Sequence, residues 1–205
     1  KIFVGEYAAQ SVGVASPNNR NNLQCALSEA AFMTGLERNA DLVAMSCYAP
    51  LFGHEERWQW RPDLIWFDNL RSYASVNYYV QQLFSLNRGD VVLPVEVAGQ
   101  EPPTSKQPGL YPTSSRDERS GEIILKVVNS APHATTAKLK IEGRRPIQGT
   151  ATVLAGEKLT DENTLAEPRK VVPVNNSLKG VGASFDYTFK PYSLTVLRLR
   201  TRVQS

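Results

Sequence analysis

The pattern of apolar residues changes once along this 205-residue chain, at Gly89. Residues 1–88 combine short apolar runs with segments in which apolar side chains recur every three or four positions, the spacing of an amphipathic helix. From Asp90 on, this spacing disappears, and β-branched runs are separated by Gly, Pro, Asn and Ser. The sequence therefore predicts an α/β region at residues 1–88 and an all-β region at residues 89–205.

Residues 1–49 have the pattern of a strand, a helix and a second strand. Ile2-Phe3-Val4 is a short apolar run, typical of a strand buried on both faces. A loop rich in Ser, Gly, Pro and Asn follows at Gln10–Asn21, and a helix capped by Asn22 is predicted for Asn22–Leu36. The apolar run within Ala40–Ala49 predicts the second strand. In such a βαβ unit the two strands are parallel, and their carboxyl ends share one edge of the sheet.

A polar loop at His54–Arg61 separates this unit from a second predicted helix, Asp63–Leu86. Pro62 suits the first position of that helix, and Gly89 suits its C-terminal stop. The many aromatic and aliphatic side chains between them predict broad packing faces.

Residues 89–205 contain eight short strand-like runs with turn residues between them. This pattern is typical of an antiparallel β-sandwich. The polar, Pro-containing segment Gly99–Gln107 is predicted to be a loop. The predicted strands are Val91–Val97, Leu110–Ser114, Glu122–Asn129, Thr135–Glu142, Gly149–Ala155, Lys170–Val174, Ser184–Phe189 and Ser193–Arg200.

Charge and hydropathy exclude some classes of partner. The net charge is +3, and the basic residues are scattered rather than clustered, so no nucleic-acid partner is expected. No apolar run approaches the roughly 20 residues that span a bilayer, so no membrane association is expected. No signal-peptide pattern follows Lys1, which leaves the localisation undetermined, with a secreted or periplasmic protein favoured.

The cysteines and histidines do not indicate a metal site. Cys25 and Cys47 are the two cysteines, and we expect both thiols to be free and buried. His54 and His133 are far apart and follow no metal-ligand spacing.

Glu6 is the carboxylate whose position is most suggestive of chemistry. It directly follows the first apolar run, and the carboxyl ends of parallel strands are where α/β proteins place their functional groups. The alternative is an ordinary polar residue at a strand end. The acidic residues of the first helix, Glu29 and Glu37, are expected to be solvated, and so are the loop residues Glu55 and Glu56.

Five segments together resemble glycoside hydrolase family 51, the α-L-arabinofuranosidases. In that family a strand ending in Gly-Glu-Tyr-Ala, or a variant of it, carries the catalytic nucleophile, and the matching residue here is Glu6. The resemblance runs along nearly all of the chain but covers only the rear part of the family's sequence. The segments are Lys1–Ala9, Asn22–Thr34, Ser46–Gly53, Arg61–Asp68 and Phe189–Leu199.

The resemblance implies both an architecture and a reaction. Residues 1–88 would form the last two βα units of a (β/α)8 barrel, and residues 89–205 the C-terminal β-sandwich. The reaction would be retaining hydrolysis of terminal arabinofuranosyl groups, with an arabinose-containing polysaccharide or oligosaccharide as partner and without a cofactor. The general acid/base, in an Asn-Glu motif, would lie upstream of Lys1, so the isolated chain is expected to be inactive. A homo-oligomer remains open.

Three aromatic residues are candidates for contacts with the substrate. Tyr48 ends the second strand, at the same edge as Glu6, where its phenol could bond a substrate hydroxyl or a carboxylate, orient the site or simply pack. Trp58 and Trp60 lie in the following loop and could stack on sugar rings.

Two other classes of function stay open at this point. The β-sandwich could be a non-catalytic carbohydrate-binding or structural module, although Asp90–Ser205 contains no tryptophan. The same scaffold could also carry an endoglucanase, because a fold determines function only through its site.

Overall fold

A computed structural model describes residues 1–98 and 109–203 as mostly antiparallel strands with two helices. The predicted loop Gly99–Gln107 lies outside the described residues. The elements are β1 (Ile2–Tyr7), α1 (Leu23–Arg38), β2 (Val43–Tyr48), β3 (Phe52–His54), β4 (Ile65–Phe67), β5 (Ser72–Ala74), α2 (Val76–Leu86), β6 (Val91–Leu93), β7 (Leu110–Arg116), β8 (Ile123–Asn129), β9 (Thr135–Lys140), β10 (Arg144–Ala155), β11 (Val174–Leu178), β12 (Ser184–Phe189) and β13 (Ser193–Val203).

The βαβ unit at the start of the chain is present as predicted. Strands β1 and β2 pair in parallel, and α1 connects them. Asn22 caps α1, because its side-chain oxygen accepts a 3.0 Å hydrogen bond from the amide of Cys25. Both strand ends that carry candidate residues therefore lie at one edge of this two-stranded sheet.

The predicted helix Asp63–Leu86 is wrong in its first half. Strands β3, β4 and β5 form a three-stranded sheet there, and α2 begins only at Val76, capped by Ser75. The Ile65–Phe67 run is β-branched and aromatic, which suits a strand. The carboxylate of Asp68 closes the turn between β4 and β5 by accepting hydrogen bonds from two backbone amides. Pro62 therefore does not begin a helix.

The all-β region forms a six-stranded sheet with the order β11-β10-β13-β8-β7-β6, faced by the strand pair β9 and β12. Seven of the eight predicted strands were found: Ser184–Phe189 matches the observed strand, and the other six are shifted at one end. The prediction of Lys170–Val174 is wrong except for its last residue, because that strand runs over Val174–Leu178.

The six-stranded sheet is buried on both faces at its centre, as β8 shows most clearly, whereas four of the five residues of its edge strand β11 are exposed. All seven residues of β8 are buried. Ile123, Leu125 and Val127 pack toward the apolar side chains of β9 and β12. Ile124 and Val128 pack toward the two helices. This two-sided burial explains the continuous apolar run in the sequence.

The helices and the sheet share one apolar core across residue 89. From the helices, Leu23, Leu27, Val80 and Leu83 contribute to it, and each is at most 6% exposed. From the sheet, Ile124, Val128, Leu194 and Val196 contribute. The type of secondary structure therefore changes at residue 89, while the apolar core extends across that point. The division into two domains stays a prediction.

A charged side chain lies inside this apolar core. The side chain of Lys126 is 1% exposed, and its ammonium forms an ion pair with Glu37 of α1 and lies 4.9 Å from the centre of the Phe84 ring. Burial lowers the pKa of Lys126 and raises the pKa of Glu37, and the mutual attraction opposes both shifts. Glu37 is therefore not the solvated residue that the sequence predicted.

The sheet of β1 and β2 leaves apolar side chains exposed to solvent, unlike the core between the helices and the six-stranded sheet. Phe3 is 58% exposed and Met45 is 63% exposed. The expected burial of Ile2-Phe3-Val4 on both faces is not seen in this chain, and Cys47 is exposed rather than buried. An apolar sheet surface of this kind usually marks a contact with another part of a protein. Over the described residues, neither helix has the length and apolar character needed to cross a bilayer.

The buried ion pair yields a prediction about stability. Lys126→Ala should lower the free energy of unfolding of this chain by about 3 kcal/mol, because it leaves a partly buried carboxylate unpaired and opens a gap beside Phe84. Urea titration followed by circular dichroism would measure the change.

Replacing both partners provides the matched control. Lys126→Met combined with Glu37→Leu should restore most of the stability, since apolar pairs of similar volume replace buried ion pairs at little cost. A loss below about 0.5 kcal/mol for Lys126→Ala alone would contradict this role of the ion pair.

Candidate functional site

Glu6 is exposed at the carboxyl end of β1, one residue before the strand ends. The parallel register pairs Tyr7 with Tyr48, so Glu6 and Tyr48 lie at the same end of the sheet. The exposed carboxylate of Glu6 therefore faces the space beyond this edge of the sheet.

The phenol of Tyr48 lies inside the protein. Tyr48 is 6% exposed, and its hydroxyl accepts a 3.3 Å hydrogen bond from the side-chain amide of Asn21. Its ring lies edge-on to that of Tyr7, with 6.1 Å between their centres. Burial raises the pKa of Tyr48, so the phenol stays protonated. These contacts show a packed and hydrogen-bonded phenol, and a role of Tyr48 in binding or orienting a substrate stays a prediction.

The two loop tryptophans differ in their surroundings. Trp60 is 52% exposed. Trp58 is half-buried, and the guanidinium of Arg61 lies 5.2 Å from the centre of its ring. The same guanidinium lies 4.3 Å from the centre of the buried Trp66 ring. Arg61 thereby ties the loop to the fold, while Trp60 keeps an exposed indole.

Glu55 and Glu56, although adjacent, have different environments. Glu55 is half-buried and accepts a 2.8 Å hydrogen bond from the hydroxyl of Tyr73, so it is not a solvated charge. Glu56 is exposed, as expected. Glu55 lines a cavity of about 300 Å³ in which Arg20 and Glu162, 3.6 Å apart, face each other.

The asparagine-rich loop before α1 is organised by its own side chains. Asn19 is fully buried; its side-chain oxygen accepts from the amide of Val12, and its nitrogen donates to the carbonyl of Gly13. Asn22 caps the helix. Turn and cap formation therefore account for both of these residues.

A buried polar network lies beneath the site edge, and sequence reasoning missed it. The hydroxyl of Tyr7 donates to Gln81 Oε1 at 2.8 Å, and the amide nitrogen of Asn21 donates to Asn77 Oδ1 at 3.2 Å. The indole of Trp66 donates to Asn21 Oδ1 at 3.0 Å. These residues come from four separate segments, so no local spacing in the sequence indicates the network.

Glu29 is the charged member of this network, and the prediction that it is solvated is wrong. It is 2% exposed, because α1 is covered by the sheet of the sandwich on one side and by α2 on another, with the Tyr7 ring of β1 packed against Phe32. Glu29 Oε1 accepts a 2.9 Å hydrogen bond from the amide of Ala9. Burial raises its pKa to about 7, opposed by the bond from Ala9 and by the amides of Asn77 and Gln81.

The titratable groups around Glu29 respond to its burial and charge. Burial and the Glu29 carboxylate both raise the pKa of Tyr7 and of Cys25 to about 12. The same two causes raise the pKa of Tyr48. These groups are therefore neutral at ordinary pH, and Glu29 is the group that titrates near pH 7.

No group of three or more His, Cys, Asp and Glu side chains within residues 1–98 and 109–203 is arranged to hold a metal ion. At this edge, the group able to take part in chemistry is the solvent-facing carboxylate of Glu6. It lies at a strand end above the buried polar network. Such a carboxylate can act as a nucleophile, a base or a ligand for hydroxyl groups.

Comparison with known proteins defines the class and then the family. A family model described as the α-L-arabinofuranosidase C-terminal domain matches residues 5–193. That range is most of the chain, so the chain belongs to the α-L-arabinofuranosidases, a family of glycosidases, and corresponds to their C-terminal part. The resemblance drawn from the five sequence segments is confirmed.

Relatives of known name agree with this assignment. The chain is 54% identical over 94 residues to an extracellular exo-α-L-arabinofuranosidase of Streptomyces chartreusis, covering 46% of this chain and 10% of that protein. It is 30% identical over 200 residues to α-L-arabinofuranosidase 1 of Arabidopsis thaliana, covering 95% of this chain and 28% of that protein. The chain therefore spans less than a third of the length of these relatives.

A solved structure extends the agreement to the fold. An arabinose-bound family-51 α-L-arabinofuranosidase superposes with a TM-score of 0.86 at 33% identity, covering 96% of this chain and 32% of that one. The two helices and the antiparallel sheets therefore have the arrangement found in the rear part of such enzymes.

The raised pKa of Glu29 predicts a pH dependence of stability. Its ordinary pKa is 4.5 and its folded pKa is about 7, so the folded chain holds this proton more tightly than the unfolded one. Stability from this group is present below about pH 4.5, falls as the pH rises to about 7, and stays lower above that. The free energy of unfolding of Glu29→Gln should therefore rise by a few kcal/mol relative to that of wild type as the pH increases from 4.5 to 8.

Urea titrations at pH 4.5, 6 and 8 would measure this difference. Asp63 and Glu37 also have a raised pKa, but both are present in wild type and variant, so their contributions cancel. Glu56→Gln, a change at an exposed carboxylate, is the matched control and should leave the pH profile unaltered. The same pH profile for Glu29→Gln and wild type would contradict the assignment.

Proposed function

We propose that this chain is the rear part of a retaining α-L-arabinofuranosidase and supplies its nucleophile, Glu6. The single observation that carries the proposal is the exposed carboxylate at the carboxyl end of a parallel strand, inside the range that matches the family model. The exo-acting relative and the arabinose-bound structure support a terminal arabinofuranosyl group as the substrate.

We propose that β1, α1, β2 and the segment ending in α2 form the last two βα units of a (β/α)8 barrel. Supporting this, β1 and β2 are parallel and leave apolar side chains such as Phe3 and Met45 exposed. The remaining strands of a barrel would cover those side chains and continue the sheet. The greater length of the relatives supports the existence of such strands in the complete protein.

In the proposed mechanism, a Glu6 carboxylate oxygen attacks the anomeric carbon as the bond from that carbon to the leaving oxygen breaks. A second carboxyl group, about 5–5.5 Å away, gives its proton to the leaving oxygen. That group then takes a proton from water, whose oxygen displaces Glu6 and releases arabinose with retained configuration. We propose that the second group comes from the part of the enzyme outside this chain.

The remaining candidates have supporting roles in this proposal. Trp60 presents an exposed indole on which a sugar face could stack, and Trp58, two residues earlier in the same loop, has its ring contacted by Arg61. Tyr48 orients the strand end from below through its contact with Tyr7. The reaction needs no cofactor.

Removing the nucleophile is the direct test. In the complete enzyme, Glu6→Ala should lower hydrolysis of an aryl arabinofuranoside by more than about 10³-fold, because the attacking group is lost while little packing changes. Added azide should restore turnover of an activated substrate and form an arabinosyl azide.

Glu56→Ala is the matched control, since Glu56 is another exposed carboxylate and lies in the loop with the tryptophans. It should keep kcat within about threefold of wild type. Activity of Glu6→Ala close to that of wild type would rule out the proposed role.

The isolated chain should be folded but nearly inactive. A missing general acid alone costs about 10²–10⁴-fold, and a missing part of the pocket adds to the loss. The purified 205-residue chain should be assayed on an aryl arabinofuranoside beside the complete enzyme, with circular dichroism as the check of folding. Activity within tenfold of the complete enzyme would place both carboxyl groups inside this chain, and would make the adjacent loop carboxylates Glu55 and Glu56 candidates for the acid.

A further inference from the structure

We propose that Glu29 is a positioning residue, whose buried carboxyl group holds the end of β1 and so determines where Glu6 meets the substrate. This inference rests on the proposed function of Glu6 and concerns a residue 2% exposed beneath the site. Glu29 Oε1 accepts a 2.9 Å hydrogen bond from the amide of Ala9. Ala9 is three residues beyond Glu6, at most about 11 Å along the chain.

A second tie holds the same strand end from the other helix. The hydroxyl of Tyr7 donates to Gln81 Oε1 of α2 at 2.8 Å. The Tyr7 ring also packs edge-on against Phe32 of α1, at 5.3 Å between ring centres. The residues directly after Glu6 are therefore held by both helices and by the end of β2, where the amide of Ala49 donates to the carbonyl of Tyr7 at 3.3 Å. Glu29 supplies the contact to the backbone at Ala9, beyond the last paired residue of β1.

Glu6 depends on this support because its own side chain faces solvent. In the described part of the chain, no hydrogen bond reaches its carboxylate, so its position follows the backbone, which pairs with β2 at Val4 and Tyr7 and is tied to Glu29 at Ala9. A nucleophile must stand about 3–3.5 Å from the atom it attacks, and a displacement of 1 Å can cost about 10²-fold in rate.

A space-filling role for Glu29 is the structural alternative. Leucine has a similar size and would avoid burying a carboxyl group, which is costly without full hydrogen bonding. Leucine cannot accept the hydrogen bond from Ala9, whereas glutamine can. The variants Glu29→Leu and Glu29→Gln therefore separate packing from the tie to the backbone.

The experiment uses the complete enzyme and an aryl arabinofuranoside with a poor leaving group, so that attack by Glu6 limits the rate. Glu29→Leu should lower kcat by about 30–100-fold while KM stays within about threefold. Glu29→Gln should keep kcat within about threefold of wild type, because its carbonyl oxygen replaces Glu29 Oε1 as the acceptor.

Leu27→Ala controls for loss of stability. Leu27 lies on the same helix, is 4% exposed and packs in the core between helices and sheet. Its truncation should destabilise the protein and leave kcat within about threefold of wild type, with all assays run well below the unfolding temperature of every variant.

Azide supplies a readout that a structural role would not move in this way. In Glu6→Ala, azide takes the place of the carboxylate and reaches the anomeric carbon by diffusion. If Glu29 acts by positioning Glu6, adding Glu29→Leu to Glu6→Ala should leave the azide-supported rate within about threefold. Glu29→Leu would then lower the rate only in an enzyme that retains Glu6.

Some outcomes would contradict the role of Glu29, and others would contradict the role of Glu6. An equal loss in the azide-supported rate, a Glu29→Leu enzyme with the kcat of wild type, or a Glu29→Gln enzyme as slow as Glu29→Leu would each overturn the inference. A Glu6→Ala enzyme that keeps its activity, or that forms no arabinosyl azide, would overturn the proposed function instead. The two failures are therefore distinguishable.

Discussion

The packing of α1 is the constraint on which both the core and the candidate site depend. On one side, Leu23, Leu27 and Ala30 join the apolar side chains of the six-stranded sheet. On another, Glu29 binds the backbone just beyond Glu6. One rigid helix therefore places the strand end relative to the sandwich, and the ion pair of Lys126 with Glu37 secures the far end of the same helix.

Sequence periodicity predicted the helices and strands whose apolar side chains recur at regular intervals. The strand, helix and strand over residues 1–49 and most strands after residue 89 were found where the spacing indicated, because apolar side chains at regular intervals determine them. The helix predicted to begin at Asp63 failed, since Trp66 and the turn at Asp68 stabilise a small sheet through contacts with Asn21 and with neighbouring amides. Those contacts are tertiary, and a local pattern does not contain them.

The candidate site was only partly predictable for a related reason. The position of Glu6 at a strand end was visible in the sequence, and its proposed role came from the family resemblance. The network below it was not visible, because Tyr7, Asn21, Glu29, Asn77 and Gln81 meet only in the folded chain. Glu29 also sits beside the apolar stripe of α1, at a position that is solvated in a helix packed on one side only.

The location of the buried polar groups explains how the fold tolerates them. A buried carboxyl group and several amides cost free energy that an apolar core would not, and here they are gathered beneath one strand end. The opposite side of α1 buries aliphatic side chains almost completely, which offsets that cost within the same helix. Under the proposed role of Glu6, these groups would hold the backbone beside the nucleophile at a cost in stability, as functional sites commonly do. Toward the sandwich, the contacts of α1 are thus mainly apolar, with the ion pair of Lys126 and Glu37 as the exception, and toward the end of β1 they include the hydrogen bond from Ala9 to Glu29.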